Sequence, residues 1–177
     1  TDGSLVVSVD CTQDEETLAS GMSRELINGI QQLRKNAELD IKVVVEVFFK
    51  EAEGVTLVED AVGKNVALFE GKFKGSVPVP QRFAPSWSVP LRSEVVDIGG
   101  TPVDLSICRP ALAARDDLDP SVLNVFSTLE PNSFSGDQFK CSVQTQEEKK
   151  TFTLELGTDF WRSTAEKIRS TRAVSWL

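Results

Sequence analysis

The sequence has no histidine among its 177 residues, so it can supply neither a Ser-His or Cys-His catalytic pair nor a histidine ligand for zinc. Its three cysteines, Cys11, Cys108 and Cys141, are odd in number, far apart and in no C-x-x-C spacing. That pattern argues against a disulfide framework and for a reducing, cytosolic compartment. No run reaches the roughly 18 to 20 apolar residues of a membrane span, and residues 1–4 lack the basic and apolar regions of a signal peptide. A soluble, cytoplasmic chain with no membrane partner is the expectation. Cations are outnumbered as well: 19 Lys and Arg face 27 Asp and Glu, for a formal net charge of −8. Phosphate contacts are the main source of non-specific nucleic-acid affinity, so any RNA site must be local. Asp116, Asp117 and Asp119 fall in a turn-like stretch with no supporting ligand pattern, and no metal or cofactor is expected in the chain itself. Internal repeats and low-complexity tracts are absent too.

What is present is 40% hydrophobic and 26% charged sequence, enough for one ordinary core or two small ones. Residues 4–10 alternate Leu5, Val7 and Val9 with Ser4, Ser8 and Asp10, the period of a half-buried strand. Over residues 13–37, Leu18, Met22, Leu26, Ile30, Leu33 and Ala37 recur at three- and four-residue steps and make one helical stripe. Thr12 is placed to cap it, with Glu15 completing a capping box. Residues 41–50 form a second strand with Ile41, Val43, Val45, Val47 and Phe49 on one face. Strand, helix, strand is a βαβ unit, expected to cross over right-handed if its strands are parallel. A second helix over residues 55–73 is weakened by Gly63.

Residues 76–90 hold four prolines, Pro78, Pro80, Pro85 and Pro90, and make a linker or an ordered loop. Strands at 94–98 and 103–108 flank Gly99 and Gly100, a hairpin signal, and Pro120 opens a short helix to residue 129. The last third predicts strands at 138–144 and 150–156 and a helix at 159–170 capped by Thr158. This ββα order is that of the opening of a β-grasp. The expected class is α+β: a βαβ-type lobe over residues 1–75, a proline-rich basic segment over 76–92, and a second α+β lobe over 93–177.

Two clusters carry RNA-contact chemistry. On a helical wheel Arg24, Asn28, Gln31 and Lys35 share the face opposite the apolar stripe, with Arg34 on its flank. Such cations neutralise phosphates and such amides bond sugars or base edges; equally, this is what the wet side of any amphipathic helix looks like. Within residues 71–93, Lys72, Lys74, Arg82 and Arg92 occur without a single acid, among Phe73, Phe83 and Trp87. Cations beside rings suit unpaired bases, and the rings alternatively pin the loop to the core. Arg162, Lys167, Arg169 and Arg172 form a third basic stretch, read first as cations complementing a helix C-terminus.

The run Gly21-Met22-Ser23-Arg24-Glu25-Leu26-Ile27-Asn28, followed by Ile30-Gln31-Gln32-Leu33-Arg34-Lys35, resembles the segment after the anticodon-binding helices of archaeal and eukaryotic isoleucyl-tRNA synthetases. The resemblance covers residues 1–50, departs at Ser20, usually Glu, and at Gly29, usually Arg, and fades to an order of elements as far as residue 109. It implies a parent that ligates isoleucine to tRNA using ATP and Mg, with catalytic and editing domains outside this chain, in which neither class I signature occurs. The chain would then be a non-catalytic C-terminal appendage in the cytoplasm whose partners are tRNA-Ile and the remainder of the synthetase. The rival implication is a module that forms a homodimer or docks on other proteins, anchored by Trp161 and Trp176.

Overall fold

The computed structural model describes residues 14–40, 42–74, 76–133, 135–144 and 149–177. The strand expected at 4–10, Cys11, the Thr12 cap, Ile41 and most of the turn after residue 144 lie outside them, and with the first strand goes the test of the βαβ unit.

Helix α1 (Glu15–Asn36) buries Met22, Leu26, Ile30 and Leu33, four members of the expected stripe. Leu18, its first member, is 46% exposed. The cap is Asp14, whose Oδ1 accepts from the Thr17 N–H at 2.7 Å, which satisfies one of the unpaired donors of the first turn. The helix ends where Glu38 turns left-handed at φ 56°, and the Arg34 guanidinium then donates to the carbonyls of Asp40 and Val43, each at 2.8 Å.

That clamp holds the approach to β1 (Glu46–Lys50) out of the sheet, so the strand begins later than the expected residue 41, with Val44 58% exposed. Four residues of β1 in succession are buried because both faces are covered. Val47 and Phe49 join the core beneath α1 and α2 (Leu57–Lys64), while Phe48 packs with Val79, Cys108 and Ile168 on the other side. The expected second helix is broken at Asn65 into α2 and α3 (Val66–Lys72). Proline did not prevent β2 (Val79–Pro80) from pairing in parallel with β1, because an edge position leaves its missing N–H without consequence.

The sheet is completed by β3 (Pro90–Ile98) and β4 (Thr101–Cys108), in the order β2-β1-β4-β3. Gly99 and Gly100 turn between them at φ 60° and 79°, left-handed values that two-residue hairpins favour and that glycine adopts without strain. The hairpin pairs with β1, so the hydrogen bonding of the sheet crosses the boundary drawn at residue 93 from the sequence.

Beyond it lie β5 (Ala113–Ala114), α4 (Pro120–Phe126), the hairpin β6 (Gln138–Gln144) and β7 (Lys149–Glu155), β8 (Phe160–Trp161) and α5 (Thr164–Thr171). Their own core contains Leu112, Val122, Phe126, Leu154 and Phe160. The expected helix at 159–170 starts late. Residues 160–161 pair with β5 instead, and the cap is Ser163, not Thr158, with Oγ accepting from the Glu166 N–H at 3.2 Å. Phe126 of α4 tilts against Phe139 of the hairpin, whereas α5 sends Ile168 to Phe48 of the large sheet. Among the described residues β6 and β7 pair only with each other. The α+β class holds, and the helix that follows the hairpin is not the one that covers it as in a β-grasp.

Candidate nucleic-acid interface

Of the predicted face of α1, Arg24, Asn28, Gln31 and Lys35 are exposed, and among the described residues none has a hydrogen-bonding or ion-pairing side-chain partner. The neighbouring flank is occupied. Glu25 Oε2 accepts from the Gly99 N–H at 2.6 Å, Gln32 donates to Asn36 at 2.8 Å, and Asn36 donates to Glu94 at 3.1 Å. Those bonds tie α1 to the hairpin and fix which way the open face points. Arg34 stands apart from it, since its guanidinium is spent on two carbonyls. Gly29, where the resembled helix usually carries Arg, faces the hairpin: a Cβ there meets Leu105 and Val96 side chains at 3.4 Å.

The basic loop is not a free patch. Arg82 pairs with Glu59 at 2.6 Å and lies over the Phe83 ring, 4.7 Å from its centroid. Arg92 pairs with Glu94 at 2.8 Å, and the shared hydrogen bonds keep the Glu94 carboxyl below its ordinary pKa. Trp87 donates its indole N–H to the Leu112 carbonyl at 3.0 Å and packs on the second core, while Phe83 leans on the cluster around Phe48. Lys72 and Lys74, at and beyond the end of α3, are exposed and have no acidic partner among the described residues. The structure therefore separates Lys72 and Lys74 from the paired Arg82 and Arg92.

Two of the four C-terminal cations are also engaged, while Arg162 and Arg172 are exposed with no acidic partner for their guanidinium groups among the described residues. Lys167 pairs with Asp116 at 2.5 Å, and Arg169 with Glu70 of α3. Both tryptophans offered as partner anchors are used inside the chain: Trp161 is 5% exposed in β8, and Trp176 packs on α2 against Gly63.

A feature that sequence reading missed is Glu46. It sits 8% exposed at the start of β1, its Oε1 accepting from the Thr164 N–H at 2.7 Å and its Oε2 from the Ala111 N–H at 3.2 Å. Burial pushes its pKa above the usual carboxylate range, against the opposing pull of those two donors. The signal was a lone acid inside a run of valines and phenylalanines.

No family model matches the chain. It is 32% identical over 109 residues to the cytoplasmic isoleucine–tRNA ligase of Schizosaccharomyces pombe, and 28% identical over 141 residues to that of Arabidopsis thaliana. These matches cover 62% and 71% of this chain but only 10% and 11% of those proteins. The chain is thus a partial homologue of cytoplasmic isoleucine–tRNA ligases, similar over most of its length to a domain-sized part of them.

Proposed function

We propose that the chain is a tRNA-contacting C-terminal segment of a cytoplasmic isoleucine–tRNA ligase, helping to hold and place tRNA-Ile while the ATP- and Mg-dependent chemistry proceeds elsewhere in the parent. The observation that carries this reading is the open face of α1, where Arg24, Asn28, Gln31 and Lys35 line up without partners among the described residues. Two cations separated by two amides on a rigid helix suit a phosphate backbone, the cations neutralising charge and the amides bonding sugar or phosphate oxygens. The net charge of −8 repels RNA at long range, so contact must be local, with this face as the first candidate and Lys72 and Lys74 as a second.

A dimerisation or docking role draws on the acidic total alone, because the tryptophans that would anchor it are packed within the chain. Titration of the chain with tRNA-Ile and with a non-cognate tRNA at low salt separates the two. Binding that strengthens as salt falls supports the tRNA role; no tRNA binding together with a stable dimer in light scattering would replace it with assembly. The same preparation should show no isoleucine-dependent pyrophosphate exchange.

A further inference from the structure

We propose that the cleft between residues 81–87 and α5 is a nucleotide site, the base lying along its apolar walls and the phosphate meeting Lys167 and Arg115. The cleft has a volume of about 500 Å³, in the range of roughly 300–1,000 Å³ typical of small-molecule sites. Its walls come from four separate segments: Phe83 and Trp87 from the loop, Ala113 and Ala114 from β5, Leu123 from α4 and Ile168 from α5. The bond from the Trp87 indole to Leu112 fixes that ring in place before any ligand arrives.

Its charge fits the same ligand. Arg115 and Lys167 line the cleft with Arg82, which Glu59 already holds, and Asp116 is the one acid in the lining. Lys167 is held by Asp116, 92% exposed, and Arg115 by Asp117, 71% exposed, and by Asp159, 16% exposed. Pairs with such exposed acids are weak, so a phosphate can take the place of Asp116 and Asp117 while Asp159 keeps Arg115 aimed. A flat apolar surface beside an excess of cations matches a ring that carries a phosphate; an apolar peptide side chain would make no use of the cations. The nucleotide is either free or part of a single RNA strand, and only the second source rests on the tRNA reading above.

The test is nuclear magnetic resonance of the nitrogen-15-labelled full chain, titrated separately with AMP, with UMP and with a single-stranded hexaribonucleotide. The indole N–H of Trp87 and the amides of Lys167 and Thr171 should shift. Lys167→Ala should weaken binding at least about fivefold, in keeping with one phosphate left without its cation, and Thr171→Phe, at the exposed mouth, should abolish it by filling the cleft. Response to the mononucleotides supports a site for free nucleotides, and response to the oligomer alone supports one for an RNA strand. If no ligand moves the cleft signals, or if folded Lys167→Ala binds as well as wild type, the proposal is wrong; should Thr171→Phe not fold, the lysine variant still decides. On adding tRNA, shifts confined to α1 leave the proposed function standing and remove the RNA strand as the ligand of the cleft, whereas no shift with tRNA while the mononucleotides move the cleft signals overturns the proposed function and leaves the site standing.

Discussion

Glu46 and Thr164, 118 residues apart, are joined by a 2.7 Å hydrogen bond in which the Thr164 N–H donates to the buried carboxylate. The second oxygen accepts from Ala111, so one side chain of β1 holds both the segment leaving β4 and the first turn of α5. Burial nonetheless raises its folded pKa above the unfolded value of 4.5, which means that the folded state binds this proton more tightly than the unfolded state does. The stability tied to it is complete below pH 4.5 and is lost as pH rises through the higher folded pKa.

Urea midpoints measured from pH 7 down to pH 4 should therefore show wild type gaining stability relative to Glu46→Gln as the pH falls, with the difference levelling off below the unfolded pKa. A difference that stays flat or runs the other way removes Glu46 from this role. Glu46→Ala should lower the midpoint at pH 7, since it strands two N–H groups at about 1–3 kcal/mol each, offset in part by loss of a desolvated charge.

Gly63 is packed by the tail of the chain. A Cβ at Gly63 would lie 2.9 Å from both Cβ and Cγ of Trp176, too close for either to stay in place. Ala is intrinsically better than Gly in a helix by about 1 kcal/mol, so the sign of Gly63→Ala depends on the tail. In the full chain it should destabilise by about 1–2 kcal/mol through overpacking and shift tryptophan emission to the red. In a chain ending at Val174 the same change should stabilise by up to about 1 kcal/mol. Equal effects in both backgrounds would show that Trp176 does not pack there.

The thiols of Cys108 and Cys141 should be inert. Cys108 is 3% exposed, and burial together with the nearby Glu46 carboxyl pushes its pKa up to about 11; burial raises that of Cys141 too. The thiolate is the reactive form, so iodoacetamide at about pH 7.5 should leave both unlabelled in peptide maps of native protein and label both in urea. Rapid native labelling of Cys108 would contradict its burial under β1 and α5.

The parts of this fold that sequence reading reached are those governed by local pattern. The stripe from Met22 to Leu33 became the buried side of α1, and Gly99 with Gly100 placed the hairpin turn. Most of what it missed depends on partners further along the chain: the basic loop does not announce that Arg82 will meet Glu59. Arg34 is captured closer by, but backbone carbonyls six and nine residues on leave no side-chain signature. Residues 160–161 read as helix because the competing strand, residues 113–114, lies far upstream. The α1 face stayed legible because an outward surface at helical spacing needs no tertiary partner. The cleft between the loop and α5 was not, since four separate segments build it.

The most direct test of the central claim is a salt series of tRNA-Ile binding by wild type, by Arg24→Ala with Lys35→Ala, and by Arg34→Ala, each shown folded by circular dichroism. Arg34 supports the turn before β1, so its loss should cost stability and leave the salt slope alone. Removing Arg24 and Lys35 should weaken binding at low salt and flatten the plot of log affinity against log salt by about one unit for each phosphate that is no longer neutralised. If the folded double variant binds tRNA with unchanged affinity and slope, α1 is not the RNA-contacting face.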